Sequence, residues 1–251
     1  ATLGFRMPAE WEQHVATWMV WPHNRADWEV KTNAVEWCYV EIIRHLVPHE
    51  RVALICQSEV VRDRAEARLE RVGVERSAYD TYCIQTNRSW IRDFGPLFIA
   101  STEDAARPVA ISDWGFNGWG RYRSYADDNR VSCGIADNLG IPRFVVCIER
   151  GDRVVNVVLE GGSIDVNGCG DLITTEQCLL GASQPRNPTV SRGELETVLR
   201  NTLGVSRVHW LVGGIDGDDT HGHVDDVARF VGPNTIVAAT EVHNGDVNHD
   251  V

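Results

Sequence analysis

His221-Gly222-His223-Val224-Asp225-Asp226 is the stretch on which the reading of this chain turns. Residues 208–212 before it and 234–238 after it are rich in valine and other apolar residues and are expected to be strands. Further upstream, Ser191-Arg192-Gly193-Glu194 has the form of a capping box, and Leu195, Val198, Leu199 and Leu203 mark one apolar helical face before Gly204 stops it. The same alternation of strand and helix runs outward. Residues 144–148, 154–159 and 172–175 are strand-like, with glycine-containing turns between them. Residues 51–56 form a short apolar run, Ser58 can cap a helix reaching about Arg71, and Gly73 ends it. Residues 80–86, 92–100 and 108–114 are expected to be strands, and residues 124–139 a helix ending at Gly140-Ile141-Pro142. No linker or low-complexity tract interrupts the pattern, so residues 1–251 are expected to form one α/β domain of strand–helix–strand units.

The charge balance narrows the partners. Thirty-six acidic residues against 24 basic ones give a net charge of -12, which disfavours nucleic-acid backbones and anionic membrane surfaces. It suits a cationic ligand. No apolar run approaches the roughly 18 residues of a spanning helix, and the start lacks a secretion-signal pattern. The seven cysteines form an odd set with no C-x-x-C pair, so neither a disulfide framework nor a zinc knuckle is expected. A reducing cytoplasm fits, with most thiols acting as small buried hydrophobes. Five of the nine tryptophans fall within the first 37 residues and are expected to pack as an N-terminal layer. Gly161-Gly162-Ser163 follows a strand, but no G-x-G-x-x-G does, which argues against a nucleotide site.

Two segments carry chemistry. If residues 223–225 are extended, His223 and Asp225 project from one face, and an imidazole beside a carboxylate is a workable general acid/base. Asp216, Asp218, Asp219, Asp225 and Asp226 crowd one short glycine-containing segment, an arrangement that asks for a compensating cation. His221, His223 and Asp225 also admit a divalent metal ion and hence a metal-dependent amidohydrolase. In Trp90-Ile91-Arg92-Asp93-Phe94-Gly95-Pro96, Asp93 is either a salt-bridged structural acid or one half of a guanidinium clamp. A carboxylate presents two oxygens to two guanidinium N–H groups, and Trp90 can stack on such a cation or its alkyl tail.

Several segments together resemble the agmatine deiminase family, whose near relatives are the bacterial peptidyl-arginine deiminases. They are Gly4-Phe5-Arg6-Met7-Pro8-Ala9-Glu10-Trp11, Trp18-Met19-Val20-Trp21-Pro22, the Trp90–Pro96 segment and Asp113-Trp114-Gly115-Phe116-Asn117-Gly118-Trp119-Gly120. Glu160-Gly161-Gly162-Ser163, Thr174-Thr175-Glu176-Gln177-Cys178-Leu179-Leu180 and Asp218-Asp219-Thr220-His221-Gly222-His223-Val224-Asp225 complete the series in family order. The resemblance implies a pentein-type fold, a five-bladed α/β propeller. It also implies cofactor-free hydrolysis of agmatine to N-carbamoylputrescine and ammonia through a cysteine thiouronium, serving putrescine and polyamine synthesis. Asp93 and Asp225 would grip the guanidinium, His223 would be the general acid/base, and Glu160 and Trp90 would line the substrate site. A small cationic guanidine is the expected partner, and assembly into a homo-oligomer is allowed.

The resemblance breaks at the nucleophile. The family's cysteine lies late in the sequence, whereas no cysteine follows Cys178 here. The expectation is therefore a C-terminally incomplete pentein domain whose nucleophile is not in these residues. Cys38, Cys56 and Cys147 fall in helical or strand-core patterns, Cys178 at an apolar strand end, and Cys169 in an exposed Gly-Cys-Gly turn. Hydrolysis of peptidyl-arginine or arginine is the nearest rival and would need an arginine such as Arg92, Arg121 or Arg123 for the substrate's carbonyl or carboxylate. Guanidinium binding without cleavage is the other.

Overall fold

Arg51–Cys56 is buried at every position after Arg51, as expected of a strand covered on both faces. It is the middle strand of a three-stranded parallel sheet, between Ala16–Val20 and Tyr79–Cys83. In this computed structural model residues 4–101 and 108–249 are described. The chain divides into two compact units, one formed by Gln13–Ile91 with Ser124–Gly134, the other by Ala1–Glu12, Arg92–Arg123 and Ile135–Val251.

In the first unit, parallel pairing requires helical crossovers, and Thr32–Leu46 and Glu59–Arg71 supply them. The Ser58 side chain accepts the Val61 N–H at the start of the second helix, and Gly73 (φ +78°) follows its end. Trp21, Val40, Ile43, Leu54 and Leu69 pack as the core. Glu36, buried beside them, is neutralised by Arg64 and Arg68 at 2.9 and 2.7 Å. Of the N-terminal tryptophans, Trp21 is fully buried while Trp11 is exposed, so the expected tryptophan layer is only partly packed.

The second unit holds the remaining sheets. Phe5–Arg6, Leu97–Ser101, Val109–Asp113 and Arg143–Val145 lie side by side, antiparallel except for the last pair. Ile164–Val166 pairs antiparallel with Asp171–Thr175, which runs parallel to Arg207–Leu211. Two hairpins complete it, Cys147–Arg150 with Arg153–Asn156 and Ala228–Gly232 with Thr235–Ala238. The capping box forms as expected: Ser191 and Glu194 bond reciprocally at the start of Arg192–Leu203, and Gly204 ends the helix in the left-handed region (φ +69°). Its Leu195, Leu199 and Leu203 pack with Leu172, Leu179 and Ile164.

Several local expectations are corrected. Residues 92–100 are not one strand: Ile91–Phe94 is a helical turn and the strand is Leu97–Ser101. The turn carries Asp93 inward, where hydrogen bonds hold it. The helix expected over 124–139 is Val131–Leu139, preceded by the 3-10 turn Asp128–Arg130. Asp128 is buried there and accepts the Asn87 and Arg88 N–H groups, which favours a tight turn over a regular helix. The strands expected at 80–86 and 154–159 stop at Cys83 and Asn156. Residues 223–225 are not extended, because Val224–Asp226 is a 3-10 turn with His223 at its N-cap. Only Cys56 and Cys178 are buried; Cys38, Cys83 and Cys169 are exposed, and all seven are free thiols. Cys178 lies in the helix Glu176–Leu180, not at a strand end. Among the described residues no helix is long and apolar enough to cross a membrane.

Candidate active site

Glycine decides the shape of this site. Gly161–Ser163 is a 3-10 turn that follows Glu160, and a methyl on Gly162 would lie 2.9 Å from both Asp93 Oδ1 and Asp225 Oδ2 and closer still to His223 Nδ1. Only a residue without Cβ lets an imidazole and two carboxylates from two distant segments meet over one backbone position. Asp93 arrives on the turn Ile91–Phe94, where the Trp119 indole N–H donates to its Oδ2 at 2.9 Å and the Gly162 N–H to its Oδ1 at 3.1 Å. Asp225 and His223 arrive on the loop before Ala228–Gly232. Asp218 shapes that loop by accepting the Thr220, Gly222 and His223 N–H groups. The left-handed conformations of His221 (φ +63°) and Gly222 (φ +95°) turn the chain back toward the acids.

The two nitrogens of His223 face different surroundings. Nδ1 lies 3.7 Å from Asp93 and 3.8 Å from Asp225, at hydrogen-bond range to neither. Nε2 lies 3.2 Å from Glu160 Oε2. Glu160 is fully buried, and Arg186, whose side chain is also wholly inaccessible, directs its Nε to both carboxylate oxygens at 3.1 Å. The Cys178 thiol lies on the same side and donates to Glu160 Oε2 at 3.7 Å.

This crowding moves every proton affinity. Burial by itself would lower the His223 pKa, but hydrogen bonds to Cys178 and Glu160 and the charge of Asp93 raise it to about 11. The imidazole is a cation at neutral pH. Burial raises Asp93, against the pull of His223, and burial likewise raises Asp225, to about 6. Burial pushes Glu160 upward too, but His223 and Arg186 outweigh it and hold that carboxyl below its ordinary range. Burial pushes the Cys178 thiol up, away from thiolate.

The site therefore unites Asp93, Glu160, His223 and Asp225, four of the five residues read from the sequence. Trp90 lies in the other unit, where it is 42% exposed and its ring rests 5.0 Å from that of Trp28. The alternative metal set of His221, His223 and Asp225 does not come together among the described residues. Among the described residues Glu160, Cys178 and His223 are the donors close enough to share an ion. Arg186 and the imidazolium already neutralise that carboxylate, so a further cation would meet two like charges. Arg186, Trp119, Gly162 and Asp218 were not read as site residues. A single arginine in a loop or a glycine after a strand has no periodic signature, and only its partners reveal it.

The chain matches the Porphyromonas-type peptidyl-arginine deiminase family over residues 6–251. It belongs to that family. It is 36% identical to an agmatine deiminase of Ectopseudomonas mendocina over 251 residues, 98% of this chain and 63% of that protein. The chain thus spans less than two thirds of that relative's length. The agmatine deiminase of Enterococcus faecalis, solved while catalysing its reaction, superposes with a TM-score of 0.82 at 31% identity, covering 96% of this chain and 62% of that one. A C. jejuni agmatine deiminase with substrate bound gives 0.81 at 26% identity, covering 98% of this chain and 67% of that one. The expected pentein-type α/β fold is the fold of these neighbours.

Proposed function

We propose that residues 1–251 form the guanidinium-binding and proton-transfer part of a pentein-domain agmatine deiminase, a cytoplasmic hydrolase that converts agmatine and water to N-carbamoylputrescine and ammonia. The observation that carries this reading is the convergence of Asp93, Asp225 and His223 Nδ1 on Gly162, which itself carries no side chain. Two carboxylates can each accept a pair of guanidinium N–H groups and so fix the plane of the cation. The substrate-bound C. jejuni agmatine deiminase supports the ligand class.

The chemistry follows from the two faces of His223. A thiolate, supplied by a cysteine outside these residues, attacks the guanidinium carbon and forms a C–S bond. His223 gives its proton to the departing nitrogen, and the C–N bond breaks to release ammonia. The neutral imidazole then takes a proton from water as the water attacks the thiouronium, and the C–S bond breaks to return the thiolate. A pKa near 11 in the empty site suits the first step. The bound guanidinium adds a positive charge beside Nδ1, lowering that pKa and permitting the second. Cys178 has no part in attack, since it is buried on the Nε2 side with a raised pKa.

Peptidyl-arginine, favoured by the family's description, would need a free arginine for its carbonyl. Arg92 is held by Glu10 at 2.5 Å and Arg121 by Asp219, while Arg123 is exposed, so of the three candidate arginines two are engaged and peptidyl-arginine stands as the second reading. Calorimetric titration with agmatine tests the reading. Asp93→Asn and Asp225→Asn should each cost about 2–5 kcal/mol, or about 30- to 5,000-fold in Kd, while His223→Ala retains binding. Unchanged affinity in both asparagine variants would overturn it. Ammonia release by the full-length gene product, resistant to a chelator and lost on thiol alkylation, separates hydrolysis from simple binding and from metal-assisted chemistry.

A further inference from the structure

Behind His223 sits a cation that the proposed reaction does not touch. The Arg186 side chain is inaccessible, and each branch of its guanidinium has a different task. Nε bonds both oxygens of Glu160, Nη1 donates to the Gln184 carbonyl at 3.0 Å, and Nη2 donates to the Thr220 carbonyl at 2.5 Å. Thr220 belongs to the loop that Asp218 folds and that leads directly into His221, Gly222 and His223. Arginine is suited to this: its planar fork holds three acceptors in fixed directions, which an ammonium does not.

From this geometry we infer that Arg186 is a positioning residue that keeps Glu160 ionised and aligned on His223 Nε2 and pins the 218–223 loop, thereby setting the charge balance of the guanidinium cradle. The inference rests on the reading of His223 as the acid/base and of Asp93 and Asp225 as the clamp.

The charges fix the sign of the test. The buried carboxylates Asp93 and Glu160 and the half-buried Asp225 face His223, and Arg186 is bonded to Glu160 among them, while Asp226, Arg92 and Arg229 act on Asp225 from outside. Removing the Arg186 charge leaves three acids sharing one imidazolium, so the acids hold protons to higher pH. Guanidinium binding needs the clamp ionised. Its acid limb, set near 6 by Asp225 in the native protein, must then move upward.

Agmatine affinity measured against pH in Arg186→Met, Arg186→Lys and Glu160→Gln reads this directly. In Arg186→Met the midpoint should rise by about one unit, the scale of a single nearby charge. Arg186→Lys should restore the midpoint while binding stays weakened, because charge returns without the fork. Glu160→Gln, which removes an anion, should lower the midpoint. A folded Arg186→Met with the native midpoint overturns the inference. If that happens while Asp93→Asn abolishes binding, the clamp stands and only Arg186 falls.

If the native chain binds no agmatine, the proposed function fails, and imidazole nitrogen NMR then decides the role of Arg186. Loss of the hydrogen-bonded Nε2 signature of His223 in Arg186→Met supports positioning, and an unchanged spectrum refutes it. Should Arg186→Met not fold, Arg186→Lys answers by both readouts: a native midpoint with weakened binding, or a disturbed Nε2 signal, supports the inference, and native behaviour throughout overturns it.

Discussion

Replacing Gly162 by alanine places one methyl group where three functional atoms converge. The added carbon would lie 2.9 Å from Asp93 Oδ1 and 2.9 Å from Asp225 Oδ2, with His223 Nδ1 nearer. Carbon–oxygen contacts settle at about 3.3 Å or more, so each carboxylate must retreat by about 0.4 Å. Asp93 has little freedom to do so, because Trp119 and the Gly162 N–H hold its two oxygens. Overpacking of this kind costs about 1–3 kcal/mol, or about 2–12 °C in Tm for a chain of this size. Binding should suffer more. A displaced clamp forfeits a charge-assisted pair, about 2–5 kcal/mol, which predicts a 30- to 5,000-fold rise in Kd, roughly, for agmatine. Calorimetry at neutral pH measures the affinity and a thermal melt the stability. Gly193→Ala is the control, since nothing lies within 4 Å of its added methyl, and it should bind agmatine as the native chain does. Native affinity in Gly162→Ala would show that the guanidinium does not sit between these acids, and the argument from convergence would fail.

Three further outcomes are expected. Agmatine binding should be full above pH 6 and weaken about tenfold per unit as pH falls through the Asp225 pKa of about 6, since the folded carboxyl is raised and guanidinium requires it ionised; affinity that stays flat down to pH 4.5, roughly, would remove Asp225 from the clamp. Trp119→Phe deletes the indole N–H that donates to buried Asp93 and should weaken binding by about 1.5–3 kcal/mol, the usual worth of a hydrogen bond to a charged group, as a titration series would reveal. Ser191→Ala removes the cap of Arg192–Leu203 and should lower stability by about 1 kcal/mol in denaturant unfolding while leaving agmatine affinity intact.

The parts of this protein that were legible beforehand are those with a local cause. Ser191 and Glu194 cap a helix through contacts three residues apart, so the sequence alone reveals them. The apolar run at 51–56 likewise marks a covered strand. Asp93 and Asp225 were legible as acids in recognisable segments, but their meeting was inferred from family resemblance. What was misread shows the complementary rule. Strand alternation over 223–225 and over 92–100 was a sound default, yet Val224–Asp226 and Ile91–Phe94 are short helical turns, and only Leu97–Ser101 of the second stretch is a strand. Asp218 folds the His223 loop from within the same segment, whereas the Ile91–Phe94 turn is held by tertiary partners, Trp119 and Gly162 for Asp93, which no neighbour in sequence announces. Arg186 was invisible for the same reason. A loop arginine is ordinarily solvated, and only the buried Glu160 distinguishes this one.

The separation of the two sides of His223 explains how one site can treat substrate and product differently in the proposed reaction. On the Nε2 side, Glu160 is already balanced by Arg186 and the imidazolium, so that side has no demand for another cation. On the Nδ1 side, Asp93 and Asp225 lie 3.7 and 3.8 Å from the ring, too far for hydrogen bonds, and the described residues supply them no bidentate partner. A guanidinium satisfies that excess of negative charge. The ureido group formed by hydrolysis is neutral and cannot. The interaction that recruits the substrate is thus weakened by the reaction itself, so the charge that must be stabilised while the thiouronium exists is gone once the C–S bond breaks, and the product has no reason to stay.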